Sequence, residues 1–359
     1  MHANPEFCIQ QHIEDAHPGD TVYIPPGTYN ENLMIDKSLI LSGEEDVFIE
    51  AAEFGSALSI FLGVSAELNN LNIRNTKGLN GGGVNNYGNL TITESAIHYS
   101  TVIHCGGLIC NRGTLRLKDS ILVNGKAWLG GGIYNEGHLS LENTTLLSNY
   151  AKYGGGIYNT GMTTIIGSQI SKSVATITGL GLPSSQELNP TCAGGVYNSG
   201  NFSMEDSTIR FSTGLAAMEF RGVGVYNSGK FFLKSGDISY NIILYKPVSR
   251  PASSRGGGLY NLGDLVIKDG MVRSNATDRG GGVYNKGRLV LDGGVIKNNS
   301  ARIGGGIYNE RFSDVFLNEG AITRNTAVVR GGGIHNCARK RRLHGDTSIV
   351  YDNKPADIE

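Results

Sequence analysis

The residues best placed to do chemistry in this chain recur in columns. A tyrosine precedes an asparagine at Tyr134, Tyr158, Tyr197, Tyr226, Tyr260, Tyr284 and Tyr308. If each asparagine and the aliphatic residue before the tyrosine point inward on a strand, the tyrosine points outward, because alternate residues face opposite sides. An outward aromatic stripe suits stacking on sugar rings or anchoring a protein partner. Rings stacked on one another would instead shield a thin, glycine-rich strand. Asn85, Cys110 and His335 interrupt the column and mark its ends. A second column is acidic: Glu94, Asp119, Asp206 and Asp269 each stand eight residues after a recurring asparagine. Acids in register suit Ca²⁺, but Gly167 and Ser235 share the column, and Asx-type corner capping fits equally well. Ca²⁺ is therefore the one cofactor left open, and no metal cluster is expected.

Cleavage of a polysaccharide needs two carboxyl groups a few ångströms apart, or a base with a cation beside the substrate carboxylate. The nearest candidates are Glu205 and Asp206, close to Arg210, and Glu219 with Arg221. Neighbouring strand positions put Glu205 and Asp206 on opposite sides, which fits a surface charge pair better than a catalytic dyad.

The elements that must position these residues follow from one phrase. Gly-Gly-(Ile/Val/Leu)-Tyr-Asn appears in full at 131–135, 155–159, 194–198, 257–261, 281–285 and 305–309. Looser copies end at Asn86, Asn111, Asn227 and Asn336, and many neighbours lie 24 or 25 residues apart. A fixed period in this range marks a solenoid, in which each repeat buries its apolar face only against the next. The phrase reads as one short strand, closed by an Asn-x-Gly turn at Asn135 and Gly137 whose residues tolerate positive φ. Leu139 and Leu141 alternate as a second strand, and Leu146 marks a third that ends at Asn149. Three short strands and three corners per coil, over about 12 coils, predict an all-β, single-stranded parallel β-helix. The asparagines then stack into an amide ladder. Phe7, Ile9 and Ile13 predict a short amphipathic helix that caps the open first coil.

One β-helix domain over 1–359 accounts for the chain: a cap at 1–20, entry coils at 21–80, Gly-Gly-x-Tyr-Asn coils at 81–337, and a basic loop with a last coil at 338–359. The asparagine spacing widens to 39, 29 and 34 residues between Asn159 and Asn261. The extra length forms insertions near 176–192 and 242–256, the second carrying Tyr245, Lys246, Arg250 and Arg255. Insertions on one edge of a solenoid often frame its binding surface. Tyr197, Tyr226, Tyr260, Tyr245 and Arg255 are therefore the expected ligand-binding residues. A net charge of −1 gives no field favouring nucleic acid, and no apolar run approaches a membrane span. No secretory leader is visible at residues 1–11. Cys105 and Cys192 share a column three coils apart, roughly 14 Å, and Cys110 and Cys337 fall in other columns, so free thiols are expected. Arg339 to Arg342 reads as a solvated basic loop.

The segment 9–43, with Pro-Gly-Asp-Thr-Val at 18–22 and Pro-Pro-Gly-Thr-Tyr at 25–29, resembles the entry of pectin-lyase-like right-handed β-helix proteins. The Gly-Gly-x-(Ile/Val) coils with a later apolar-x-x-Asn, as at 146–149, 272–275 and 296–299, are similar to those of bacterial surface β-helix proteins. The polymorphic outer-membrane adhesins of chlamydiae are among these. The resemblance implies fold more than activity, because the superfamily holds lyases, hydrolases, epimerases and passive adhesins. Neither the Asp-Pro-His-Asp phrase of alginate epimerases nor the paired aspartates of polygalacturonases occurs here. The expected function is a noncatalytic surface or extracellular scaffold recognising polysaccharide or a surface protein along its side face. A polysaccharide lyase, hydrolase or epimerase is the first alternative, and a self-assembling structural repeat the second.

Overall fold

The computed structural model describes residues 7–176, 191–216, 219–245, 253–338 and 342–359. They form a parallel β-solenoid of about 12 turns. Each turn adds one strand to a 12-stranded sheet containing the recurring phrase, from 33–35 through 133–135 to 334–336. Most turns then add two strands to a broad sheet, as at His138–Glu142 and Thr145–Leu147, and in two turns the pair runs on as one strand, Arg288–Lys297 and Asp314–Thr323. These are the three strands expected from the pattern. A fourth strand, of two to five residues, precedes the glycines in many turns, as at Tyr150–Ala151, Ala276–Arg279 and Thr326–Arg330, and builds a third sheet.

Alternation sets the core. Leu139 and Leu141 pair in register with Leu115 and Leu117, and all four are buried. The same inward column holds Phe202 over Phe231, stacked with centroids 5.0 Å apart. Each fully buried aliphatic contributes about 1.5–3 kcal/mol, yet no coil covers its own apolar edge, so the gain exists only in the stack. At the N-terminal end the helix Ile9–Asp15 buries Ile9 and Ile13 on the first coil. Glu31 accepts the backbone N–H groups of Ile9 and Gln10 at 2.9 and 2.8 Å, satisfying donors the helix leaves open.

The asparagine ladder runs from Asn86 to Asn336. Each Nδ2 donates to the Oδ1 of the asparagine one coil on, at 2.7–2.9 Å. It also donates to backbone carbonyls: Asn135 reaches Gly137 at 3.2 Å and Met162 at 3.1 Å. A second ladder links Asn241, Asn275, Asn299, Asn325 and Asn353 at 3.0–3.1 Å. Upstream in that second column stand Thr76, Ser100, Ser173 and Ser212, whose buried hydroxyls find no partner.

The glycine two residues after the ladder asparagines from Asn86 to Asn285 has a different cause from the one the turn pattern implied. Neither Asn135 nor Gly137 has positive φ. A Cβ on Gly137 would instead collide with the carbonyl oxygen of Gly113 one coil back, and one on Gly161 with that of Gly137. Close approach between coils, not left-handed backbone, excludes a side chain there. Positive φ falls at the first glycine of each triplet, such as Gly130 at 64° and Gly256 at 72°.

Replacing Asn261 by alanine leaves the amides of Asn227 and Asn285 each short of one buried bond. We expect a loss of about 2–6 kcal/mol in denaturant unfolding, at roughly 1–3 kcal/mol per unsatisfied group. Asn89→Ala, an exposed site, serves as the control and is expected to be near neutral.

Candidate functional site

The tyrosines do not form an open stripe. They form one continuous stack from Tyr134 to Tyr308, with centroids 4.5–5.4 Å apart and planes within 4–11° of parallel. Their side chains leave the bore of the solenoid as alternation requires, yet Tyr260 and Tyr284 are only 1 % exposed and Tyr226 and Tyr308 are buried. The register of the parallel strands places each ring on its neighbour, so both faces are occupied before any ligand arrives. The expectation that Tyr197, Tyr226 and Tyr260 offer ring faces to sugars is corrected accordingly. Tyr197 retains partial exposure, but its two faces meet Tyr158 and Tyr226.

The third sheet covers the stack from one side. Five residues before successive column positions stand Tyr153, Cys192, Arg221, Arg255, Arg279, Ile303 and Arg330, paired in register. Three of these arginines occupy consecutive coils, and each leans one coil forward over a tyrosine. The Arg221 guanidinium lies 5.8 Å from the Tyr260 centroid, Arg255 lies 5.5 Å from Tyr284, and Arg279 lies 5.8 Å from Tyr308. Glu219 braces two of them, at 3.1 Å from Arg221 Nε and 3.5 Å from Arg255 Nη1. Asp278 lies 3.7 Å from Arg279 and 2.7 Å from Arg302. Two carboxylates thus face four guanidinium groups. The side chains of Arg221, Arg255 and Arg279 keep 29 %, 26 % and 35 % of their surface open to solvent.

Both insertions fall between strands of this sheet. Residues 176–190 separate the strands Val174–Ala175 and Thr191–Cys192, and residues 246–252 separate Ile242–Tyr245 from Ser253–Arg255. The Tyr245 side chain, Lys246 and Arg250 lie outside the described residues, as do 339–341 of the basic loop. Arg342 is described and pairs with Asp314 at 2.9 Å.

The four acid–base candidates divide between two places. Glu205, the last residue of a broad-sheet strand, lies 3.3 Å from Lys234, and Asp206, at the corner that follows, accepts the Ser235 hydroxyl at 2.7 Å. Glu219 and Arg221 stand on the third sheet, where Arg255 joins them. The corner acids Glu94, Asp119 and Asp206 have φ of 50°, 48° and 45°, like Asn143 and Gly167 of the same column, whereas Asp269 does not have positive φ. Left-handed backbone accounts for Asp, Asn and Gly at those positive-φ corners, and Asn143 donates to Asp119 at 3.1 Å. No group of three or more potential metal ligands occurs among the described residues.

The pattern did not reveal a groove of about 430 Å³ on the broad sheet, lined by Phe232, Val266, Met162, Lys230, Asp264 and Arg288 among others. Its signal lay in the outward positions of the alternating strands, where Lys230, Asp264 and Arg288 stand in register. Arg279 was also missed, although it sits at the same offset from its tyrosine as Arg255.

Comparison with protein-family models, curated proteins and solved structures found no match. The likeness to pectin-lyase-like proteins and surface adhesins therefore rests on the residues quoted above.

Burial of the stack has a measurable consequence. It pushes the Tyr226 hydroxyl up to about 12; for Tyr308, burial and then the Cys337 hydrogen bond do the same. A raised folded pKa stabilises below the unfolded value, near 10, and that contribution is lost as pH rises toward about 12. Spectrophotometric titration is expected to show tyrosines that ionise late in the folded protein, with thermal stability falling above pH ~10. Complete ionisation at the ordinary value without unfolding would contradict a covered stack.

Proposed function

We propose that the protein is a noncatalytic surface or extracellular β-helix scaffold that binds an acidic polysaccharide along its side face. The single observation carrying this reading is the column Arg221, Arg255 and Arg279 on consecutive coils, backed by the tyrosine stack and under-neutralised by Glu219 and Asp278. Guanidinium forks match carboxylate and sulfate geometry, and stacking on the tyrosines limits the rotamer freedom lost on binding. Coils repeat every ~4.8 Å along the axis, close to the length of one sugar unit in an extended glycan. A polyanion lying along the axis would meet one arginine per unit. The acids support a passive role too, since Glu205 stands on a different sheet from Glu219 and Arg221, and Asp206 stands at the corner after Glu205.

Titration with polygalacturonate, alginate and a neutral glucan, followed by calorimetry and proton NMR, tests this reading. Binding is expected for the acidic polymers only, weakening with salt. Arg255→Ala is expected to lower affinity about tenfold, the equivalent of one charge-assisted hydrogen bond. Glu219→Gln is expected to raise it, by releasing Arg221 and Arg255. Repeating the titration with Ca²⁺ examines the corner acids Glu94 and Asp119. New reducing ends or unsaturated uronate signals would overturn the passive reading in favour of an enzyme. Loss of binding in Phe232→Ala but not Arg255→Ala would move the site to the groove.

A further inference from the structure

Cys105 and Cys110 occupy the two columns that elsewhere hold Arg and Tyr, in a coil at the N-terminal end of the tyrosine stack. Their Sγ atoms lie 3.4 Å apart. Arg112 directs Nη1 at Cys110 Sγ, 3.1 Å away, and its Nη2 lies 3.9 Å from Cys105 Sγ. The guanidinium is held in place by Glu136 at 2.9 Å and by the Tyr87 hydroxyl at 3.3 Å. Cys105 Sγ–H donates to Asn80 Oδ1 at 3.0 Å, a bond made by the thiol and given up by the thiolate. A thiol, a second thiol and a fixed cation within bonding range make an environment suited to a nucleophilic thiolate.

We propose that Cys105 and Cys110 are a peroxide-reactive thiol pair, with Cys105 as the attacking sulfur and Cys110 as the resolving one. The Cys105 thiolate attacks one oxygen of hydrogen peroxide and the O–O bond breaks. This yields Cys105 sulfenic acid and hydroxide, which takes up the proton that Cys105 released. Cys110 sulfur then attacks the Cys105 sulfur, expelling hydroxide, which takes the Cys110 proton and leaves as water. In total two thiols and one peroxide give one disulfide and two waters. The sulfurs close from 3.4 Å to the ~2.05 Å of a disulfide. Cys105 is 5 % exposed and Cys110 fully buried, so a two-atom oxidant is the class of reagent that fits.

The thiol energetics agree with this geometry. The hydrogen bond from Cys110, then the Arg112 charge, hold the Cys105 thiol below its ordinary range against the opposing effect of burial. Cys110, donating that bond, is held well above it. Cys192 stands in the same column as Cys105, and burial pushes its thiol up to about 12, which makes it an internal control.

The test is titration of the full-length reduced chain with hydrogen peroxide, quenching with a maleimide, and site-by-site mass spectrometry. The expected result is a Cys105–Cys110 disulfide after one equivalent, reversed by dithiothreitol, with Cys105 consumed about tenfold or more faster than Cys192. In Cys110→Ser, a near-isosteric change, Cys105 is expected to accumulate as a dimedone-trappable sulfenic acid. Arg112→Gln is expected to slow the first step. Equal rates at Cys105 and Cys192, or a Cys105 that survives peroxide while Cys110→Ser is folded, would overturn the proposal.

Discussion

The rest of this structure depends on an amide that must be satisfied inside a narrow bore. A parallel solenoid brings one residue of each coil onto the same line, and here that residue is asparagine. Its side chain offers both a donor and an acceptor, so each one completes the next, and the backbone carbonyls at the corner take the remaining N–H. A buried amide shifted by one position would lose three bonds at once. The ladder therefore fixes axial register more sharply than the aliphatic core, which tolerates Leu, Ile, Val, Phe and Met in its columns. The glycine two residues on is part of the same constraint, since coils spaced for amide bonding leave no room for a Cβ.

Register then passes outward. From Tyr134 to Tyr308 the tyrosine next to the ladder asparagine inherits the coil spacing, which places rings at stacking distance without further adjustment. The stack gives the third sheet an apolar surface to lie on, and that sheet carries Arg221, Arg255 and Arg279 at the same spacing. The proposed polyanion site is thus a copy of the ladder's periodicity written in guanidinium groups. The cysteine pair sits where this copying stops: Cys110 replaces the tyrosine and Cys105 the flanking residue, so two thiols face each other where an aromatic contact would otherwise be.

What was legible in the sequence reflects how far each constraint is local. The amide ladder, the capping helix over Ile9 and Ile13, and the alternating strands around Leu139 and Leu141 are periodic and could be counted. The direction of the tyrosines was also readable, but their burial was not. It depends on a fourth strand whose length changes from coil to coil, two residues at Tyr150–Ala151 and five at Thr326–Arg330, and on arginine side chains that lean across coils. The comparison of cysteines along the axis separated Cys105 from Cys192 but did not place Cys105 beside Cys110. These two stand in one coil on either side of a glycine corner, where sequence distance says little about sulfur distance. The groove around Phe232 escaped notice because its residues occupy positions that alternation assigns only to solvent.

A double-mutant cycle on Asn227 and Asn261 tests the central claim most directly. The two amides share one bond of 2.8 Å in the middle of the ladder. If the column acts as a connected chain, replacing both by alanine costs less than the sum of the single replacements, with a coupling of at least about 1 kcal/mol. Additive losses within about 0.3 kcal/mol would show that each asparagine serves only its own corner, and would contradict the ladder as the source of register.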